Sequence, residues 1–278
     1  NISTNGLDDA DVEIIETIKK VMGKLIAHNS NAGVIFCVYS LFFSVFLSAP
    51  LSLAKPFFSL SDQCPPSFSL NSDNQCQLRN LYQFYDSLQD RGLGGLKTAL
   101  PEHRDGFSPQ QIDLGRLLFF DPVLSGDKNL SCANCHNPAL GFSDGMGRSV
   151  GAGGKVSQRS APTLWNSAFL RVFFWDARAN SLEEQAVGPL FSDHEMANTP
   201  QQLIANLSQV DAYPQLFSQA FPDSGDPLII DNIATALSAF QSSLISLNSP
   251  YDRYAHGDAN ALSSAELEGL NVFRSFVA

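Results

Sequence analysis

Two cysteines and a histidine stand close together in SCANCHNPALGFSDG, residues 131–145, as Cys132-x-x-Cys135-His136. Side chains at this spacing can bind zinc, exchange a disulfide, or attach a c-type haem through two thioethers while the histidine binds the iron. A zinc site needs further ligands, but the sequence has no second Cys-x-x-Cys pair and the histidines after residue 136 stand singly. A thioredoxin-like site follows a strand, whereas this motif follows the turn-rich DPVLSGDKN. The motif therefore predicts one covalently bound haem c, with His136 as the axial ligand of the iron.

An apolar run near the start of the chain predicts export. Residues 34–47, VIFCVYSLFFSVFL, follow Met22 and Lys24 and precede a small-residue cleavage site, Ser52-Leu53-Ala54. The run is shorter than the roughly 20 apolar residues that a spanning helix needs. Residues 22–54 are thus predicted to be a cleavable signal peptide rather than a permanent membrane span, and the mature protein is expected in the periplasm. Residues 1–21 are read as an upstream or disordered segment.

Export changes the interpretation of the remaining cysteines. Cys64 and Cys76 flank the polar stretch PPSFSLNSDNQ, and in an oxidising compartment they could close a short disulfide loop. The alternative is two free thiols, which exported proteins seldom keep.

The charge balance is acidic. The formal net charge is −11 and the pI is about 4.7, with no basic stripe along the chain. A nucleic-acid backbone would be repelled by such a surface, so nucleic acid is excluded as a partner. A small basic electron-donor protein would suit the surface better.

Helix signals dominate the rest of the sequence, and the fold class is predicted to be mainly α. Ser108 opens a helix that stops before Asp121-Pro122, and the glycine-rich residues 141–163 form a long loop near the cofactor. Four further helices are predicted, namely one from Ser181 up to Gly188-Pro189 that carries Gln185, a short one over 200–207, an amphipathic one capped by Asp231, and one opened by Ser263.

The helix opened by Ser108 and the helix opened by Ser263 share a short sequence echo. GRLLF at 115–119 recurs loosely as GLNVF at 269–273. Only five residues follow Phe273, so the echo suggests a second haem-bearing unit that begins here, in a chain that is C-terminally truncated before the cysteines of that unit.

Several stretches together resemble a known family. They are LGRLLFFDPVLSG (114–126), SCANCHNPALGFSDG (131–145), RSAPTLWNSAF (159–169), FFWDARANSLEEQAVGPL (173–190), HEM (194–196) and SPYDRYAHGD (249–258). In order and spacing they resemble the bacterial di-haem cytochrome c peroxidases and their MauG-like relatives. The resemblance implies two cytochrome c-like haem domains, with a peroxidatic haem in the earlier domain that receives electrons from a haem in the later one.

The resemblance also implies a domain organisation. Residues 55–106 would be an N-terminal extension, 107–230 the peroxidatic haem domain, and 231–278 the start of the second domain, whose haem motif is missing from the sequence. A second haem c is therefore expected in the full-length protein.

Three residues match the family's functional positions. Trp175 would lie between the two haems as an electron bridge, and Gln185 and Glu195 would line the distal pocket. A carboxylate such as Glu195 could take a proton from iron-bound peroxide and return it to the leaving oxygen, while Gln185 could hold peroxide or water by hydrogen bonds. The alternatives are ordinary: a core tryptophan and two solvent-facing polar residues.

Two positions depart from the family pattern. Ala152 follows Gly151 where many members have a histidine that can cap the iron, so an open iron is expected, as in the MauG-like branch. Ser160 takes the place of an asparagine that contributes to an interdomain calcium site, which weakens the case for calcium at this position.

Taken together, the sequence predicts an exported haem peroxidase that reduces hydrogen peroxide to water with electrons from a small cytochrome c or cupredoxin. A MauG-like oxidase that acts on a protein substrate is one alternative. Another is a mono-haem electron-transfer cytochrome with Met196, sixty residues after His136, or Met146 as the second iron ligand. The sequence leaves open whether a homodimer forms.

Overall fold

The computed structural model describes residues 58–79 and 102–277. The predicted signal peptide and the segment before it lie outside these residues. The described part is mainly α-helical, which confirms the predicted fold class, and it adds one small antiparallel hairpin. Its elements in chain order are β1 (Phe68–Leu70), β2 (Cys76–Leu78), α1 (Pro109–Phe120), α2 (Cys132–Cys135), α3 (Leu182–Phe191), α4 (Pro200–Ser208), α5 (Ala212–Ala220), α6 (Ile230–Ser243), α7 (Pro250–Ala255) and α8 (Ser264–Val277).

Helix α1 begins and ends where its sequence predicts. Ser108 accepts a hydrogen bond from the Gln111 amide at 3.1 Å, and the Gln111 side chain accepts one from the Ser108 amide, so the capping box is complete. After the last turn, the Asp121 carboxylate accepts a bond from the Val123 amide at 2.8 Å and starts a 3₁₀ turn. This turn leads the chain towards the cysteine motif on α2.

The centre of the fold is a close crossing of α1 and α6. Gly115 lies so near the Ala236 carbonyl that a β-carbon would overlap it. Next to this contact the Phe119 and Phe240 rings pack with their centroids 5.0 Å apart. The missing side chain at Gly115 therefore allows the two backbones to approach, and the aromatic pair fills the space beside them.

The main apolar core surrounds this crossing. It receives fully buried leucines and a phenylalanine from α1, α4 and α5, as well as the residues of α6 that face inward, with Leu114, Leu118, Leu203, Leu207, Phe217 and Ile233 among its members. Residues on both sides of the domain boundary expected at position 230 thus share one core. The start of a second domain at residue 231 stays a prediction, with its first helix packed on the first domain.

Two predicted helix ends differ in detail. Helix α6 starts at Ile230, one residue before Asp231, which lies in the first turn rather than at the cap. Helix α3 runs through Pro189 to Phe191. Its first turn leaves amide groups without helical partners, and the Ser181 hydroxyl accepts from one of them, the Glu184 amide, at 3.1 Å.

The N-terminal described segment is fastened to the helical domain. Cys64 and Cys76 form a disulfide with Cα atoms 5.6 Å apart, the pairing considered from the sequence. The Cys76 amide donates to the Phe107 carbonyl at 2.8 Å, and Phe68 packs with Phe107 in a second small core. Upstream, the Gln219 side chain of α5 donates to the Phe58 carbonyl at 2.7 Å.

Helix α8 carries the loose sequence echo of α1, but the echoed residues are packed differently in the two helices. Phe119 is 1% exposed whereas Phe273 is 68% exposed, and a β-carbon on Gly269 would meet no atom within 4 Å. The predicted start at Ser263 is confirmed, because its hydroxyl accepts from the Glu266 amide at 3.3 Å. Within the described ranges, none of the helices combines the length and the apolar character needed to cross a membrane.

Candidate functional site

The cysteine motif forms a single helical turn. Cys132 and Cys135 begin and end α2, and the His136 amide donates to the Cys132 carbonyl at 2.9 Å. The Asn134 side chain closes the start of the turn by accepting from the Ser131 amide at 2.8 Å. Both cysteines are free thiols. Residues three apart on a helical turn lie on one side, so both sulfurs are placed to bond to one flat ligand.

The surroundings of the thiols do not activate them. Burial raises the pKa of Cys132 to about 12. Burial also raises the pKa of Cys135, and the nearby carboxylates of Asp144 and Glu195 raise it further. Catalytic cysteines have lowered pKa values, so these surroundings do not support disulfide exchange by this pair. In the part of the chain that the structure describes, no group of three or more His, Cys, Asp or Glu side chains could hold a metal ion.

His136 is held by two backbone carbonyls. Its Nδ1 lies 3.0 Å from the Phe142 oxygen and 3.1 Å from the Pro162 oxygen. Burial lowers the pKa of His136, and the two carbonyls and Asp144 only partly oppose it. A neutral imidazole that donates from Nδ1 leaves Nε2 as the nitrogen that can bind iron, the arrangement that metal-bound histidines usually adopt. The motif therefore fits a c-type haem.

Apolar side chains near this turn are left open to solvent. Leu140 and Met146, in the loop after His136, are 54% and 49% exposed, and Trp165 is 40% exposed. The Trp165 ring packs edge-on against Phe142 with centroids 5.3 Å apart. These exposed apolar side chains are suitable contacts for a flat apolar cofactor attached to α2.

A glycine-rich loop fixes the backbone of Glu195. The Ala152 amide donates to the Glu195 carbonyl at 2.7 Å, while the Glu195 amide donates to Ser192, at the end of α3, at 3.0 Å. Gly151 lies against the carbonyls of His194 and Glu195, where a β-carbon would overlap both. The loop and the end of α3 together fix the position of the segment that carries Glu195.

The Glu195 side chain is half-buried. Burial raises the pKa of Glu195, and the charges of Arg178 and His194 oppose that rise without cancelling it. The carboxylate is close enough to Cys135 to raise the pKa of its thiol. A carboxyl group with a raised pKa beside a cofactor-binding residue is typical of a proton-transferring site.

Gln185 lies on the helix that leads to Glu195. It is half-buried on α3, and its side chain makes no hydrogen bond to the rest of the described residues. Gly188, one turn later, lies under the Phe174 ring, where a β-carbon would be 3.1 Å from the ring carbon Cζ. The structure thus brings Gln185 and Glu195 to neighbouring segments, one on α3 and one directly after it.

Trp175 stands at the tip of a short loop. Phe173 and Ala179 close the loop with a bridge, and Phe174 has a left-handed backbone with φ of 64°. The guanidinium of Arg178 lies 3.4 Å from the centroid of the Phe174 ring and donates to Asp176 at 2.7 Å. Trp175 itself is 91% exposed. It has no place in the described core and is available to a partner surface.

The structure places the two remaining predicted positions, Met196 and Ser160, next in sequence to Glu195 and Arg159. Met196 is 6% exposed and belongs to the main core, and its carbonyl accepts from the Gly126 amide at 2.9 Å. Ser160 is exposed next to Arg159, which pairs with Asp176 at 3.5 Å. Iron binding by Met196 and calcium binding at Ser160 stay predictions.

Sequence reasoning did not single out three residues that shape this site. Arg178 acts electrostatically on Glu195, and Ser143 and Thr163 bond to carbonyls beside His136. The sequence showed only that the two segments after the cysteine motif each contain a hydroxyl residue, Ser143 in one and Thr163 in the other. Which carbonyls these hydroxyls meet depends on how two loops pair, and local sequence does not specify that.

Comparison with known proteins identifies the family. A family model described as di-haem cytochrome c peroxidase matches residues 109–260, so the chain belongs to that family. The cytochrome c551 peroxidase of Pseudomonas aeruginosa is 42% identical over 193 residues, which cover 68% of this chain and 56% of that protein. The methylamine utilization protein MauG of Methylorubrum extorquens is 40% identical over 166 residues, or 60% of this chain and 47% of that protein.

A solved structure agrees with this assignment. A MauG-like protein associated with microbial copper homeostasis is 32% identical with a TM-score of 0.60, over 65% of this chain and 54% of that chain. The predicted family and its helical architecture are thus confirmed. The chain spans about half the length of these relatives.

Proposed function

We propose that the chain forms the peroxide-reducing haem domain of an exported di-haem peroxidase. One haem c would be attached to Cys132 and Cys135 with His136 as its axial ligand. The observation that supports this proposal most strongly is the position of Glu195, a half-buried carboxyl group with a raised pKa beside the cysteine motif. When bound, the haem supplies an iron that accepts peroxide and exchanges electrons.

The protein residues would manage the protons of this reaction. Reduction of hydrogen peroxide to two molecules of water consumes two protons and two electrons. Glu195 would take the proton from the oxygen nearer the iron and give it to the leaving oxygen, which is the role of a general acid and base. Gln185 cannot titrate, so it would orient peroxide or water by hydrogen bonds.

Electrons would enter from outside the described residues. Trp175 would carry them, and its 91% exposure supports a contact with a partner surface rather than a core role. In the full-length protein this partner would be the second haem domain, fed by a small cytochrome c or cupredoxin in the periplasm. We leave homodimer formation and calcium binding as further proposals for that protein.

A MauG-like activity is the second candidate, and one observation favours it. Ala152, where a histidine could cap the iron, is buried and donates its amide to Glu195. The side chain of an alanine cannot bind iron, so this loop would leave the iron face open. Oxidising power formed there could then be used on a protein substrate. The mono-haem cytochrome is favoured less, because Met196 is packed in the main core.

The two proposals share one test. The chain is expressed in a host that attaches haem c, and the haem-loaded protein is mixed with hydrogen peroxide with and without a reduced small cytochrome. Peroxide-dependent oxidation of the cytochrome supports the peroxidase. Peroxide consumption that oxidises a protein substrate but not the cytochrome supports the MauG-like activity, and no reaction with peroxide contradicts both.

A further inference from the structure

Two hydroxyl side chains form hydrogen bonds between the two loops whose carbonyls contact His136. Thr163 donates from Oγ1 to the Gly141 carbonyl at 2.6 Å. Ser143 donates from Oγ to the Ala161 carbonyl at 2.8 Å. The two bonds run in opposite directions between segments 141–143 and 161–163, which follow the cysteine motif at different distances along the chain.

These bonds flank the carbonyls that His136 uses. The Phe142 carbonyl, 3.0 Å from Nδ1, lies between Gly141 and Ser143 in sequence. The Pro162 carbonyl, 3.1 Å from the same nitrogen, lies between Ala161 and Thr163. Each carbonyl therefore has a cross-loop side-chain bond on the residue before it and on the residue after it.

The geometry points to Ser143 and Thr163 as positioning residues that set the reduction potential of the haem through the Nδ1–H of His136. The inference rests on the proposed attachment of haem to this motif. Neither hydroxyl touches Nδ1, so each acts only through a carbonyl.

The physical reason is the charge that a donating imidazole acquires. A histidine that gives its second ring N–H to a carbonyl becomes a more basic metal ligand, and a more basic ligand stabilises the oxidised iron. One ring proton is shared here between two oxygens, so the hydrogen bond depends on both carbonyls remaining in place. If either loop moved away, His136 would become a weaker donor and the potential would rise.

The contacts around Thr163 show that its hydroxyl links the two loops. The Thr163 hydroxyl also accepts from the Trp165 amide at 3.2 Å, which fixes the turn that carries the tryptophan. Pro162 has no amide hydrogen, so its peptide nitrogen adds no competing bond. The hydroxyl of Thr163 is thus the side-chain link from the Pro162 segment to Gly141.

The test is the midpoint potential of the haem-loaded chain in three single variants. In Thr163→Val and in Ser143→Ala we expect the reduction equilibrium to shift towards the ferrous state by about tenfold, which is 59 mV for one electron. Thr163→Ser keeps the hydroxyl and should restore the potential of the unsubstituted protein. The ¹⁵N resonances of the His136 ring in the reduced protein should show a weaker Nδ1–H hydrogen bond in the first two variants only.

Ser208→Ala is the matched control. Ser208 is exposed on α4 and donates to the Ala205 carbonyl at 3.0 Å, so its substitution also removes one side-chain to backbone bond. Its potential should equal that of the unsubstituted protein. A potential unchanged in both Ser143→Ala and Thr163→Val, or shifted equally in Thr163→Ser, would overturn the inference.

The same samples separate this inference from the proposed function. If the unsubstituted protein carries no covalent haem, the proposed function fails. If it carries haem that reacts with peroxide but the potentials do not respond to Ser143 and Thr163, only the positioning role fails.

Discussion

At the residue scale, Glu195 differs from a surface glutamate because burial raises the pKa of its carboxyl group. We expect Glu195→Gln to slow the reaction with peroxide by roughly 10²-fold or more, because proton transfer by a positioned group contributes about that much. Stopped-flow absorption of the haem-loaded variant gives the rate. Glu268→Gln, on the exposed surface of α8, is the control and should react normally. Equal rates in both variants would remove Glu195 from the mechanism.

The raised pKa of Glu195 gives the reaction a pH dependence of defined sign. The carboxylate must be ionised to accept the first proton, so the rate should fall as the pH drops through the pKa of Glu195. Because burial raises that pKa, the midpoint should lie above the ordinary value of 4.5. A pH profile of the peroxide reaction tests this, and Glu195→Gln should lose this inflection. A midpoint at or below 4.5 would contradict the role.

The proposed haem attachment also depends on single residues. Replacing both Cys132 and Cys135 by serine should abolish covalent haem, since no thioether can then form. Haem staining after denaturing electrophoresis measures this directly. The Cys64 and Cys76 pair is the built-in comparison, because these sulfurs are already joined to each other and their replacement should leave the stain intact. Staining that survives the double substitution at the motif would disprove the assignment.

The residues of this site differ in how far the sequence could predict them. Cys132, Cys135 and His136 could be proposed from the sequence alone, because covalent haem attachment needs adjacent residues at a fixed spacing. Glu195 and Gln185 required the family resemblance, since nothing local distinguishes them from surface residues. Arg178, Ser143 and Thr163 were not predictable, because their partners lie across loops whose pairing is set by tertiary contacts.

At the scale of elements, the α1–α6 crossing depends on one glycine. Gly115→Ala should lower the free energy of unfolding by about 1–3 kcal/mol or more, the usual cost of overpacking a core, because a methyl group would overlap the Ala236 carbonyl. Urea unfolding measures the change. Gly269→Ala, at the equivalent place in the echo on α8, has open space and should be neutral or stabilising by up to about 1 kcal/mol. Equal changes in the free energy of unfolding for Gly115→Ala and Gly269→Ala would contradict the close contact of α1 and α6 at Gly115.

Helix ends were predictable where the cap itself is written in the sequence. The capping residues Ser108 and Ser263 form the bonds expected of them. Helix α6 begins one residue earlier than predicted. Asp231 lies in its first turn, where a negative charge stabilises the helix through its dipole, and does not occupy the capping position. The crossing of α1 and α6 could not be read from either helix, since apolar periodicity shows which face is buried but not which helix covers it.

At the scale of the whole molecule, the acidic charge has a kinetic consequence. Without the predicted signal peptide and the segment before it, residues 55–278 hold 14 Lys and Arg against 23 Asp and Glu, a net charge of −9. This charge should attract a basic electron-donor protein over distances comparable to the Debye length, which is about 10 Å at 0.1 M salt. We expect the second-order rate of electron transfer from a basic cytochrome to the haem-loaded chain to fall as salt increases. An acidic cytochrome of similar potential is the control and should show the opposite trend. A rate from the basic donor that is independent of salt would contradict electrostatic attraction.

Exposed apolar side chains are a second feature at this scale. The chain spans about half the length of its relatives, and Trp175 and Phe273 present large apolar side chains to solvent. Buried apolar contacts hold domains and partner proteins together, so we expect these side chains to be contacts for another domain or protein. Sequence composition could not reveal this, because exposure is known only once the core is assembled.

The most direct measurement is the absorption spectrum of the oxidised, haem-loaded protein before and after one equivalent of hydrogen peroxide. We expect a covalent haem without a methionine–iron charge-transfer band, and a rapid spectral change on adding peroxide that is slowed in Glu195→Gln. A colourless protein, a methionine-bound spectrum, or a haem that does not respond to peroxide would contradict the assignment of this domain as the site of peroxide reduction.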